Sequence, residues 1–352
     1  TKHNLEATLF DKILYKIRNS KFVGSKKQRY LLWEKFENYI LTRKKFCDIL
    51  KGFKADLVVT ASPGIVTTAD LPYLRAARIL EIPTCGVIQQ WDNLSTKGLM
   101  PFRPTKLAVW NEASKKDAME LQYYDFQDVE ICGVPHFDLY QKAPFEDRDY
   151  FFKKIGFNPN KPLITFTTAP YKSVADHTYV LDILVNAMKE KLFLKEIQVL
   201  CRLHPLDDKK RYQKFKNLEN IKFDFPGKYS PYLGWDPDLE ETKHLIDTLY
   251  YTDVLINIAS TITIEAAILD KPIINLGFST SEPGRFYKSV LINHHKKHYK
   301  YILEIGGIKI ANNEKEFIDY IKTYLENPKI DSEKRKQLAE SITYKLDGNQ
   351  AK

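Results

Sequence analysis

The stretch DVLINIASTITIEAAILDKPIINLG, Asp253–Gly277, holds the decision about the fold. An apolar run ends at Ile258, Ser260 and Thr261 open a segment of helical spacing, and a second apolar run follows Pro272. Short β-branched runs bounded by turn residues read as buried strands, and strand, helix, strand at this rhythm implies a right-handed crossover in a parallel sheet. Ligands of such sheets bind beyond the carboxyl ends of the strands, so polar clusters directly after strands are the site candidates.

Working outward, the same rhythm recurs. Upstream lie the strands PLITFTTAP, EIQVLCRLHP and IKFDF, alternating with helices predicted over 176–191, 207–217 and 238–250. Earlier still, ADLVVTASPG, IPTCGVIQQ, KLAVW and DVEICGVPHFD alternate with TADLPYLRAARILE and NEASKKDAMELQYY. A polar segment, residues 141–160, carries Pro144, Gly156 and Pro159 and is the expected hinge. The expected fold is therefore α/β, two doubly wound Rossmann-like domains facing a cleft. Residues 1–145 form the N-terminal domain, helical over 5–53; residues 146–330 form the second domain, and 331–352 a C-terminal helix. No strand with a glycine-rich loop precedes Ala55, so the first domain is atypical or truncated, and a start on Thr1 leaves room for a removed upstream segment.

A length of 352 residues suits two domains, and 43% hydrophobic with 28% charged residues is a soluble globular composition. No apolar run approaches the roughly 18 residues of a membrane span, and no signal peptide is evident. Cys47, Cys85, Cys132 and Cys201 are scattered and read as reduced thiols of a cytoplasmic protein. A net charge of +9 admits a polyanionic partner: nucleic acid, an anionic membrane or a phosphorylated substrate. The lysines are dispersed and lack aromatic interleaving, which argues against nucleic acid and against a polyanion-binding protein without chemistry. The basic segments SKKQR and RKKF point to peripheral association with the inner face of the cell membrane.

Four clusters follow strands. Ser260 and Thr261 present hydroxyls and a helix start to an anion, or merely cap that helix; Glu265, one turn on, can accept from ribose hydroxyls. His204, fixed by Pro205 and preceded by Arg202, can donate to phosphate oxygens, or serves as a turn histidine bonded to backbone. Thr167, Thr168 and Lys172 suit a diphosphate. In the first domain Trp91, Asp92, Asn93 and Lys97 end a strand with groups that packing does not require. Asp92 is the candidate general base, Trp91 a stacking platform and Lys97 an anion ligand; the alternative is an Asx turn with Trp91 plugging its domain. No dinucleotide fingerprint, P-loop, H-E-x-x-H or G-x-S-x-G occurs. HHKKH, 294–298, reads as a basic rim rather than a metal site.

WDNLSTKG, then KLAVWNEASKKDAMEL, VEICGVPHFD, RLHP and INIASTITIEAAILDKPIINLG, resemble in order and spacing the GT-B glycosyltransferases and CDP-glycerol glycerophosphotransferases of bacterial surface polysaccharide synthesis, of capsule and teichoic-acid type. The resemblance covers about residues 55–280. It implies a nucleotide-activated donor, as substrate and with no further cofactor or obligate metal, in the second domain. A glycan or lipid-linked acceptor belongs to the first. His204, Ser260 and Thr261 then hold the donor phosphate, with Thr168, Lys172 and Arg202 beside them, and Glu265 the ribose; Trp91, Asn93 and Lys97 meet the acceptor. Asp92 stands where teichoic-acid polymerases carry the histidine of an H-G-T motif, which keeps a base available and bears against glycerophosphate chemistry. The expected reaction is glycosyl transfer from a CMP- or UDP-type donor, CMP being favoured. The alternatives are glycerophosphate transfer from CDP-glycerol and nucleotide-sugar 2-epimerisation.

Overall fold

The computed structural model describes residues 25–350 except 62, 171–175, 231–233, 237 and 280–289. It divides into two compact units, residues 1–132 and 133–352. The division falls ahead of the segment 141–160 in which the sequence puts the hinge, and that whole segment belongs to the second unit.

Unit 1 opens with α1 (Lys26–Ile40) and α2 (Lys44–Phe53), followed by β1 (Val58–Thr60), α3 (Leu71–Ile79), β2 (Thr84–Val87), the single turn α4 (Asn93–Thr96), β3 (Lys106–Val109), α5 (Glu112–Gln122) and β4 (Val129–Ile131). Ser25 starts α1 through a reciprocal capping box: its hydroxyl accepts from the Gln28 amide at 3.3 Å, and the Gln28 side chain accepts from the Ser25 amide at 2.9 Å. Two orphan donors of the helix start are thereby satisfied. The four strands are parallel in the order β1-β2-β3-β4. That order contains no reversal, so these strands make one half of a doubly wound sheet. Leu107, Val109 and Val129 pack with Ile88, Leu94 and Met100 to form its core.

Unit 2 comprises a 3₁₀ helix (Pro135–Lys142), α6 (Arg148–Ile155), β5 (Leu163–Thr167), α7 (Tyr179–Lys189), β6 (Gln198–Arg202), β7 (Ile221–Asp224), the hairpin β8 (Lys228–Ser230) and β9 (Gly234–Asp236), α8 (Leu239–Tyr251), β10 (Val254–Asn257), α9 (Ile262–Ile268), β11 (Ile273–Leu276), α10 (Lys297–Ile305), β12 (Lys309–Ala311), α11 (Glu314–Glu326) and α12 (Ser332–Thr343). Its six strands are parallel in the order β12-β11-β10-β5-β6-β7. This is the strand order of a dinucleotide-binding sheet, and it reverses direction between β5 and β10. Every residue of β5, β6, β10 and β11 is buried, which is why these strands read as largely apolar runs rather than alternating ones.

Within unit 2, α12 lies against α9 and is held by Arg335, fully buried. Its guanidinium meets Asp270 at 2.9 Å and donates to the carbonyls of Ile330 at 2.6 Å and Pro328 at 2.7 Å. A buried charge satisfied at this many points closes the C-terminal segment onto the sheet. No expectation from the sequence covers β12 or the β8–β9 hairpin, whose strands are three residues each.

Candidate functional site at the strand reversal of unit 2

Where a parallel sheet reverses its winding, the crossover helices leave on opposite faces and a crevice opens at the carboxyl ends of the two central strands. In unit 2 these are β5, ending at Thr167, and β10, ending at Asn257. The register sets Phe166 beside Ile256 and Thr167 beside Arg202, so the loops after β5, β6 and β10 leave from one level.

Two of the sequence clusters are joined directly there. The Thr168 amide donates to the Arg202 carbonyl at 3.1 Å, and the Thr168 hydroxyl accepts from the His204 amide at 2.9 Å. The His204 ring turns back on its own loop, Nδ1 accepting from the Leu206 amide at 3.0 Å. The turn reading of this histidine therefore describes its Nδ1, and the proton of the neutral ring is left on Nε2, which can only donate. Burial also lowers the His204 pKa, which keeps the ring neutral. Behind the loop the Asp207 carboxylate takes the Tyr212 hydroxyl at 2.7 Å and lies 3.4 Å from His177 Nε2 and 3.3 Å from Arg211. Hydrogen bonds from His177, Tyr212 and Thr168 outweigh burial and hold its pKa far below the usual carboxylate range.

The loop after β10 is supported from beneath by a buried polar network. Asn257 Oδ1 accepts from the Ser260 amide at 3.2 Å, its Nδ2 lies 3.1 Å from the Thr263 hydroxyl, and that hydroxyl is 3.0 Å from the Tyr299 hydroxyl. Ala259 adopts a left-handed φ of 43°, and Ser260 and Thr261 emerge exposed. Thr261 occupies the N-cap of α9 without a side-chain capping bond. Because α9 spans seven residues, the hydroxyls rather than a helix-scale dipole are what this loop offers an anion. His294 and His298 of HHKKH are buried at 8% and 7% exposure, with His294 stacked on Tyr299 at 5.7 Å. They support this network, and the basic rim expected there is not formed by them.

Glu265, in the first turn of α9, is enclosed beside Tyr140 of the 3₁₀ helix. Neither Glu265 Oε2 nor the Tyr140 hydroxyl completes a hydrogen bond. Burial pushes the Glu265 pKa up to about 7, against the smaller opposing pulls of Tyr140 and Arg202; the Tyr140 hydroxyl is likewise driven well above its ordinary range by burial and by Glu265. A buried carboxylate oxygen left without a donor costs stability, and such sites concentrate where ligands supply the missing partner.

Arg202, expected among the donor ligands, is directed elsewhere. It is the last residue of a fully buried strand, and its guanidinium is ion-paired to Asp224 of β7 and Glu241 of α8. Against burial, His244 at 3.3 Å and Arg202 together depress the Asp224 pKa to about 2. Lys172 lies outside the described residues. In unit 1 the cluster after β2 is a tight local structure. Trp91 is buried at 9% exposure, which leaves little ring face for stacking. Asp92 is half-buried at the start of α4, its carbonyl accepting from the Ser95 and Thr96 amides and its carboxylate from the Thr96 hydroxyl at 3.0 Å. Asn93, 2% exposed, takes the Gln90 amide on Oδ1 at 3.1 Å, while its Nδ2 is buried without an acceptor. Lys97 is exposed. Tyr140, His177, Asp207 and Tyr212 were not singled out by the sequence; the only signal for Tyr140 is its place just after VPHFD.

Among the described residues no group of three or more His, Cys, Asp or Glu is arranged to hold a metal, and no helix is long and apolar enough to cross a membrane.

The fold is that of several solved enzymes. UDP-GlcNAc 2-epimerase from Neisseria meningitidis is similar at 16% identity and a TM-score of 0.55, over 95% of this chain and 81% of its own. UDP-GlcNAc 2-epimerase from Methanocaldococcus jannaschii is similar at 17% identity and 0.53, over 96% and 90%. A glycosyltransferase from Rickettsia africae is similar at 14% identity and 0.50, over 90% and 79%. These likenesses give the GT-B fold of two Rossmann-like domains, as the sequence implies. No protein of the curated set matches the sequence. The family model of the CDP-glycerol:poly(glycerophosphate) glycerophosphotransferases matches residues 103–352, well over half of the chain, and the protein therefore belongs to that family, a family of transferases.

Proposed function

We propose that this protein transfers a group from a nucleotide-activated donor to a hydroxyl of a glycan or lipid-linked acceptor in surface polymer synthesis. The observation that supports the reading is the strand reversal of unit 2, where the loops carrying the Nε2–H of His204 and the hydroxyls of Thr168, Ser260 and Thr261 follow adjacent strands, and where Glu265 Oε2 completes no hydrogen bond. His204, Thr168, Ser260 and Thr261 bind the donor phosphates, and Glu265 accepts from the ribose. Arg202 acts on the loop frame through Asp224 and Glu241 and not on the ligand.

Family membership favours CDP-glycerol as donor. The acceptor oxygen then attacks the glycerol-bearing phosphorus, the bond to the CMP oxygen breaks, and CMP leaves. Asp92 is our candidate for the base that takes the acceptor proton, since it is half-buried directly after β2 with an oxygen held at 3.0 Å by Thr96. Glycosyl transfer is the second reading, favoured by that same aspartate, because glycosyl transfer commonly uses a carboxylate where phosphoryl transfer in the related polymerases uses histidine. In that case the acceptor oxygen bonds the sugar carbon, and the nucleotide departs with the bridging oxygen. The lipid-linked acceptor would bring the protein to the inner face of the membrane.

A thermal-shift screen of CMP, CDP, UDP and GDP tests the donor site, since a ligand of the folded state raises the midpoint by mass action. A cytidine-specific shift abolished in His204→Ala is expected; no shift with any nucleotide overturns the reading. Turnover of CDP-glycerol against nucleotide sugars then separates the two reactions, and unimpaired turnover in Asp92→Asn removes that residue from the base role.

A further inference from the structure

The loop that follows β2 is gripped from α5 by one side chain. Gln122, the last residue of that helix, is 1% exposed and commits its amide to the backbone of the loop. Nε2 donates to the Leu94 and Gly98 carbonyls, each at 2.9 Å, and Oε1 accepts from the Met100 amide at 2.9 Å. A primary amide has two N–H donors beside its oxygen, so both donors are spent and the orientation of the group is settled. The turn it grips, α4, is four residues long, too short to hold itself without outside support. Leu94 and Met100 are buried beside Ile88, which gives the turn apolar footing. Just ahead of α5, Trp110 Nε1 donates to the Ile88 carbonyl at 2.8 Å, so the loop is held both where it leaves the strand and where it returns.

We infer that Gln122 is a positioning residue for the acceptor side of the reaction, fixing the turn on which Asp92 is mounted. The inference rests on the reading of Asp92 as the base. Asp92 is bonded to α4 and moves with it: its carbonyl accepts from the Ser95 and Thr96 amides at 3.1 and 3.0 Å, and its carboxylate from the Thr96 hydroxyl at 3.0 Å. A clamp on Leu94 and Gly98 therefore aims a carboxylate that it does not itself bond. Glutamate in its place would offer no donor to the two carbonyls, and asparagine is one methylene too short to span them. A displacement of about 1 Å at a reacting group costs about a hundredfold in rate, so the clamp bears on turnover. His204, Ser260 and Thr261 are carried by unit 2 and do not depend on it.

Amide hydrogen exchange read by mass spectrometry tests the clamp without requiring turnover. In Gln122→Met, which keeps the length of the side chain and loses all three bonds, the peptide spanning residues 90–100 is expected to exchange about tenfold or more faster. Exchange in unit 2 and the nucleotide-induced thermal shift should be unchanged. With the donor that the protein uses, kcat should fall about tenfold or more while the donor KM stays put. Adding Asp92→Asn to Gln122→Met should lower kcat less than it does in the native protein, because a misaimed carboxylate has less left to lose. Should the methionine variant not fold, Gln122→Glu, which keeps an acceptor for the Met100 amide and loses both donors, carries the same expectations. Native exchange over residues 90–100, an unchanged kcat, a donor KM that rises as kcat falls, or additive effects of the two substitutions each overturn the inference and leave Asp92 standing. Native turnover in Asp92→Asn is a different failure: it removes the base, and this inference with it.

Discussion

Replacing Glu265 by glutamine should stabilise the protein above neutral pH while weakening its ligand site. Burial lifts the Glu265 pKa from its ordinary 4.5 to about 7. A carboxyl whose folded pKa is raised supports folding fully below the unfolded value and loses that support as pH climbs through the folded one. At about 1.4 kcal/mol per tenfold change in proton affinity, the loss between pH 4.5 and pH 7 is about 3 kcal/mol. Glutamine carries no charge at any pH and escapes that loss. Urea unfolding at half-unit steps from pH 4.5 to 8 should therefore show coincident stabilities at the acid end and a gap of about 3 kcal/mol, in favour of the variant, at the alkaline end. For a unit of this size that gap is worth about 6–12 °C in melting temperature. Nucleotide affinity should move the other way, by about tenfold or more, because a neutral amide replaces a charged acceptor of ribose hydroxyls. Stability curves that stay parallel across the whole range would refute the reasoning, since the buried carboxyl would then not be resisting ionisation.

Arg202→Met should destabilise by about 3 kcal/mol, because Asp224 and Glu241, only 14% and 15% exposed, lose the guanidinium between them and Asp224 keeps only His244 at 3.3 Å. The nucleotide affinity of the remaining folded protein, measured calorimetrically well below its melting temperature, should be unaffected; a selective loss of affinity would return Arg202 to the donor ligands. Gly307→Ala should cost about 2–4 kcal/mol in urea unfolding, since Gly307 sits at φ +83° and an added Cβ would come within 2.7 Å of the Arg335 amide nitrogen, backbone that has no room to yield.

The strand and helix rhythm was legible because unit 2 buries whole strands: LITFT and VLIN are largely apolar, and such runs are visible without knowing their partners. That the strands are parallel followed less directly, from the crossover rule rather than from any residue, and their order came only with the structure. What stayed hidden was short or long-range. β12 is three residues with a lysine at its head, below the length at which periodicity means anything. Arg202 looked like a phosphate ligand because the two acids that engage it lie 22 and 39 residues further along the chain. Tyr140 and Glu265 likewise meet only through the fold. HHKKH read as solvated from composition, yet packing against Tyr299 draws two of its histidines inside. In unit 1 helices form at Lys26–Ile40 and Lys44–Phe53 within the expected 5–53, but periodicity could not show that α1 turns polar side chains inward, because their partners Met100, Pro101 and Arg103 lie far along the chain.

The imidazole at the end of β6 has one more consequence. With a backbone amide already seated on Nδ1, acidifying the solution cannot add a proton to His204 without first unmaking a bond inside the loop and then charging a ring shielded from water. Its protonation is therefore displaced below the range of an ordinary imidazole. Whichever charge the ring carries, the hydrogen it presents at Nε2 stays in place.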